Sequence, residues 1–143
     1  MTTSNATPLR VWLAMTELVM DHKQLWRENF ESQLDMPFSR YRAMRRLERR
    51  SLTQRELADL LGVDAPAASV IVGDLVGRGL VTRRSHPEDG RSKIVEVTDA
   101  GRNWMDRVRS LPATVPPAVT VLSADERGEL ARLIAKMRAA ADA

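Results

Sequence analysis

The 143-residue chain is 43% hydrophobic and 29% charged, the balance of a soluble globular protein, and no apolar run approaches the roughly 18 residues of a membrane span. It has no cysteine and only two histidines, His22 and His86, which excludes disulfides and cysteine nucleophiles and leaves no basis for a metal or cofactor site. The net charge of +3 is unevenly spread: residues 1–39 carry three basic and five acidic side chains, residues 40–109 fifteen and ten, and residues 110–143 four of each.

The N-terminal MTTSNATPLR has no basic segment followed by an apolar stretch, so a cytoplasmic protein without a secretory signal is expected. Residues 8–34 read as one long helix, with Leu9, Trp12, Leu13, Thr16, Val19, Met20, Trp26, Phe30 and Leu34 recurring at three- and four-residue steps. Met36-Pro37 ends it. A second helix begins near Ser39 and strings Phe38, Tyr41, Met44 and Leu47 along one stripe. Its other side gathers Arg42, Arg45, Arg46 and Arg49, with Arg40 and Arg50 beside them. Such a stripe is either a solvated face or a surface for phosphate.

Thr53 to Glu56 forms a capping box, with Leu57, Leu60 and Leu61 as the apolar face behind it and Gly62 as the stop. Asp64 then caps a helix that runs to about Arg78, where Gly79 ends it. A two-turn helix, a short turn containing glycine and a helix of about four turns make a helix-turn-helix. Projection at 100° per residue puts Ala68, Ile71, Val72 and Leu75 on the core side and Pro66, Ser69, Val70, Gly73 and Gly77 opposite.

Leu80–His86 and Ser92–Thr98 are short and β-branched, separated by the charged tip Pro87 to Arg91, and read as a hairpin. Thr98 caps a further helix carrying Trp104, Val108 and Leu111; Pro112, Pro116 and Pro117 kink or split the chain beyond it. Ser123 to Glu126 is a second capping box, opening a last helix with Leu130, Leu133, Ile134 and Met137 on one stripe. The expected fold is therefore mainly α with a small β-hairpin wing: a winged helix-turn-helix at residues 37–99, preceded by an N-terminal helix at 1–36 and followed by C-terminal helices at 100–143.

The module resembles the multiple-antibiotic-resistance regulator (MarR) family. The resemblance rests on Leu52–Val63, on Asp74–Val81 and on the wing pattern Asp89-x-Arg91-x-x-x-Val95-x-Val97-Thr98, where the family usually has Leu at the position of Val97. It implies a homodimeric transcriptional regulator, usually a repressor, that binds double-stranded DNA at a pseudo-palindromic operator and is released by small aromatic ligands. It also implies dimerisation through the first and last two helices, and insertion of Arg91 into the minor groove with Asp89 holding it in position. A narrow minor groove attracts a guanidinium, so that role has a physical basis. The plainer alternative is a solvated arginine paired with Asp89 or Glu88.

The expected DNA surface comprises Ala65, Pro66, Ala67, Ser69, Val70 and Gly73 on the groove helix, and Asp89, Gly90, Arg91 and Lys93 on the wing. Arg45, Arg49, Thr53, Gln54, Arg83 and Arg84 are candidates for the DNA backbone. Val70 stands where many members of the family have Arg, and its neighbours offer no donors to base edges. Contact with thymine methyls, close backbone approach at Gly73 or DNA-shape readout must then carry specificity. If an effector pocket exists, the resemblance puts it between the first two helices and the winged module, bordered by Trp26, Tyr41 and Met44. Trp26 and Trp12 otherwise belong to a dimer core. No catalytic residues are expected, because no titratable groups of the types needed converge. A winged-helix adaptor for protein–protein contact is the alternative function.

Overall fold

The computed structural model describes residues 5–111 and 115–141. The chain divides into two compact units, one of Phe30–Leu111 and one of Met1–Asn29 with Pro112–Ala143. Among the described residues no single helix is long and apolar enough to cross a membrane.

Helix α1 (Pro8–Leu34) runs unbroken, as the three- and four-residue spacing requires. It ends where Asp35 turns into the left-handed region at φ 49°, one of the few conformations an aspartate tolerates better than bulkier residues. Helix α2 (Phe38–Arg49) buries Ala43, Met44 and Leu47. Phe30, the last aromatic of α1, packs edge-on to Phe38 at 5.8 Å and against Tyr41 at 4.5 Å, ring centre to ring centre. Those contacts bring the end of α1 into the winged unit.

Strand β1 (Leu52–Thr53) leads directly into α3 (Gln54–Leu61). Thr53 Oγ1 accepts from the Glu56 N–H at 3.1 Å, and the Glu56 carboxylate accepts from the Thr53 N–H at 3.1 Å, completing the expected capping box. Gly62 then reverses the chain at φ 68°. Helix α4 (Ala65–Gly77) starts on Asp64, which accepts from the Ala67 N–H at 2.8 Å. Its buried residues are Ala68, Ile71, Val72 and Leu75, the four on the projected core side. Leu60 is a correction: it is exposed, while Leu57, Ala58 and Leu61 form the buried face of α3. At 100° per residue those three span a narrow arc, and position 60 falls outside it.

Strands β2 (Val81–Ser85) and β3 (Lys93–Val97) form the wing hairpin. The sheet has three antiparallel strands in the order β1-β3-β2, with Leu52 opposite Val95 and Val81 opposite Val97. The expected hairpin thus gains a third strand from the residues just before the capping box. Helix α5 (Asp99–Arg109) opens on Thr98, whose hydroxyl accepts from the Gly101 N–H at 3.0 Å and donates to the Gly79 carbonyl at 2.7 Å. It buries Gly101, Trp104, Met105 and Val108. This is why the compact winged unit reaches Leu111, beyond residue 99.

In the other unit, α6 (Pro117–Thr120) is a single turn and α7 (Ala124–Ala141) opens on the second capping box, Ser123 with Glu126. Helix α5 ends at Arg109 and α6 begins at Pro117; Pro112, one of the residues expected to kink or split the chain, lies outside the described residues. Helix α7 buries none of its side chains, and α1 buries only Phe30.

Candidate nucleic-acid interface

The wing tip is built by local hydrogen bonds. The Ser92 N–H donates to the Asp89 carbonyl at 3.0 Å, and His86 Nδ1 accepts from the Glu88 N–H at 3.0 Å. Asp89 Oδ1 accepts from the backbone N–H of Arg91 at 3.1 Å. The aspartate therefore fixes the backbone at Arg91, and no ion pair joins it to the guanidinium among the described residues. Arg91 is exposed and its side chain is left for a partner outside the unit.

Between the wing, α3 and the start of α4 lies an open cleft of about 630 Å³. Arg55, Gln54, Asp59 and Ala58 come from α3, Asp64 and Ala65 from the start of α4, and Asp89, Arg91, Ser92 and Lys93 from the wing. Of the residues expected at a DNA surface, Gln54, Ala65, Asp89, Arg91 and Lys93 line this cleft. Arg55 and Asp59 were not anticipated; the signal was available, since they stand four apart on α3, away from Leu57 and Leu61.

The outward side of α4 follows the projection in part: Pro66, Val70 and Gly77 are exposed, but Ser69 and Gly73 are only half-exposed because they flank the buried face. Ala65 is also exposed, whereas Ala67 is half-buried. Asp74 is the sole charge within α4 and is occupied: it accepts from Arg40 Nε at 2.9 Å and from Arg78 Nε at 3.2 Å. The Arg40 bond is the main reason its carboxyl titrates below the usual range for aspartate.

Arg40 is tied to Asp74, and Arg42 Nη2 donates to the Leu61 carbonyl at 3.3 Å, satisfying the end of α3. Both brace the module. Arg45 and Arg49 are exposed. On the wing, register places Arg83 opposite Val95 and Arg84 opposite Ile94, so the two arginines lie on opposite faces of the sheet. Arg83 Nη1 donates to Gln54 Oε1 at 3.3 Å, and Lys93 Nζ to Ser85 Oγ at 3.0 Å. Thr53 is already committed to its cap.

Met44 is fully buried and Tyr41 packs at tilted angles against Phe30 and Phe38; neither lines the cleft between the wing and α3. Trp26 is half-buried in the other unit.

A two-turn helix, a tight turn, an exposed second helix and a basic three-stranded wing define a winged helix-turn-helix protein. The profile of the MarR family matches residues 34–92 of this chain. The chain is 30% identical over 88 residues to the uncharacterized HTH-type transcriptional regulator YdgJ of Bacillus subtilis; the match covers 61% of this chain and about half, 54%, of that relative. A mutant of MepR from a multidrug-resistant S. aureus clinical isolate superposes with a TM-score of 0.77 at 20% identity, covering 98% of both chains. A mutant of MarR from E. coli superposes with a TM-score of 0.68 at 25% identity, covering 93% of this chain and 98% of that one. The same mutant complexed with operator DNA gives 0.62 at 22% identity, with 92% and 99% covered. The curated relative is named as a regulator of transcription, not as an enzyme.

Proposed function

We propose that this protein is a homodimeric transcriptional regulator that binds double-stranded DNA through α4 and the wing, and represses from a pseudo-palindromic operator. The observation that carries this reading is the union, in one unit, of an exposed α4 face with an Arg91 side chain held out by a fixed wing tip. In a winged module the second helix enters the major groove, and phosphate contacts supply much of the affinity. On this reading Arg45, Arg49, Gln54, Arg83 and Lys93 would make such contacts, and Arg91 would enter the adjacent minor groove. The crystallised E. coli relative with operator DNA supports the same partner.

Dimerisation is supported by the apolar side chains that α1 and α7 leave in water. Trp12 is 57% exposed and Met20 71%, and Leu130, Leu133, Ile134 and Met137 of α7 are exposed along one stripe. Apolar surface on this scale marks an interface. Release by a small aromatic ligand follows from the family likeness.

Binding to random duplex DNA, measured from low to physiological salt, tests the reading together with light scattering. The expected result is a dimer at micromolar concentration that binds with a steep salt dependence. A monomer, or no salt-dependent binding, would favour the adaptor instead.

A further inference from the structure

The centre of the outward face of α4 is a valine. Val70 is 64% exposed, with exposed Pro66 one turn before it. Where a Cβ would stand at Gly73 and Gly77 no atom lies within 4 Å, so space remains open along the helix beside it. Ser69 is half-buried, and Asp74 is held by two arginines. Packing gives little reason for the valine: a β-branched residue lowers helix propensity, and here most of its surface stays in water.

Val70 stands outside the cleft, whose lining mixes Arg55, Arg91 and Lys93 with Asp59, Asp64 and Asp89, and no charged side chain belongs to the exposed face of α4 around it. On the DNA that α4 is proposed to enter, the complement of an exposed valine is an apolar group. The major groove offers one such group on its base edges, the 5-methyl of thymine. We infer that Val70 reads thymine, its γ-methyls packing on that methyl at one position of each half-site. This rests on α4 being the groove helix of a DNA-binding protein.

The test uses the full-length protein and duplexes recovered by selection from a randomised pool. Each thymine of the recovered site is replaced in turn by deoxyuridine, which removes only the methyl. Expected is one thymine per half-site whose replacement weakens the wild type by roughly three- to five-fold, the cost of about one unburied methyl. Val70→Ala, a better helix former, should fold and be indifferent to that replacement. Three results overturn the inference while leaving DNA binding intact: no thymine is selected, every deoxyuridine is tolerated by the wild type, or Val70→Ala loses the same factor at the same base. If neither protein binds any duplex at low salt, the proposed function fails and this inference with it.

Discussion

Arg40 of α2 and Asp74 of α4 are joined across the helix-turn-helix by a 2.9 Å hydrogen bond between Nε and Oδ2, with the arginine side chain only 18% exposed. The groove helix is thus anchored by its one charge to a helix outside the motif. Asp74→Asn keeps the shape and removes the charge, and should cost about 1–2 kcal/mol at neutral pH. The pH dependence has a definite sign. Asp74 and Glu56 both titrate below their ordinary values in the folded chain, Glu56 chiefly through the Thr53 N–H. Their stabilisation is present above the unfolded carboxylate range, near pH 4, and is lost as pH falls through the lower folded values. Urea midpoints measured from pH 7 to pH 3 should fall for the wild type and fall less for Asp74→Asn.

Gly101 is required for a different reason. A Cβ at that position would collide with the Leu80 carbonyl oxygen and lie 3.1 Å from Met44 Cε. Backbone cannot yield as a flexible side chain does, so Gly101→Ala should destabilise by about 1–3 kcal/mol despite alanine's helix propensity. Thermal denaturation checks this. Gly73→Ala, with open space around it, is the control and should be neutral or stabilising.

Arg91 and Asp89 separate charge from geometry. Arg91→Ala should weaken DNA binding and lower the salt slope by about one, as for one lost phosphate-side cation. Asp89→Ala removes the acceptor that fixes the Arg91 N–H but leaves the guanidinium in place. It should weaken binding less and leave the slope unchanged. Fluorescence anisotropy at four or five salt concentrations distinguishes the two.

Residues 30–111 form a compact unit of their own, while the exposed apolar stripes of α1 and α7 lie mainly outside it. A fragment of those residues should fold, be monomeric by light scattering, and bind one half-site with much reduced affinity. A dimeric fragment would place the interface within the winged unit.

Much of this architecture was legible in the sequence because it is set locally. Periodicity gave α1, the two capping boxes gave the starts of α3 and α7, and Asp64 with Gly79 bounded α4. The buried quartet Ala68, Ile71, Val72 and Leu75 followed from helical geometry alone. The features that escaped depend on tertiary neighbours. β1 is two residues long, too short for any period to register, and exists because β3 pairs with it. Spacing put Arg40 and Arg42 beside Arg45 and Arg49, but only the fold reveals that Asp74 and the Leu61 carbonyl bind the first two. Adjacent numbers likewise concealed that the pleat sends Arg83 and Arg84 to opposite faces. The unit boundaries at Phe30 and Leu111 depend on a three-ring cluster and on α5, neither visible as a break in composition.

Thr53 belongs to two elements at once: it pairs with Ile94 in the sheet and caps α3 with its hydroxyl. No spacer separates the wing from the first helix of the motif, so neither can fray without loosening the other. Amide hydrogens in β3 and in the first turns of α3 should then exchange as one cooperative group, with a shared opening free energy. A wing coupled in this way would meet the proposed DNA already shaped, with little ordering entropy left to lose on docking.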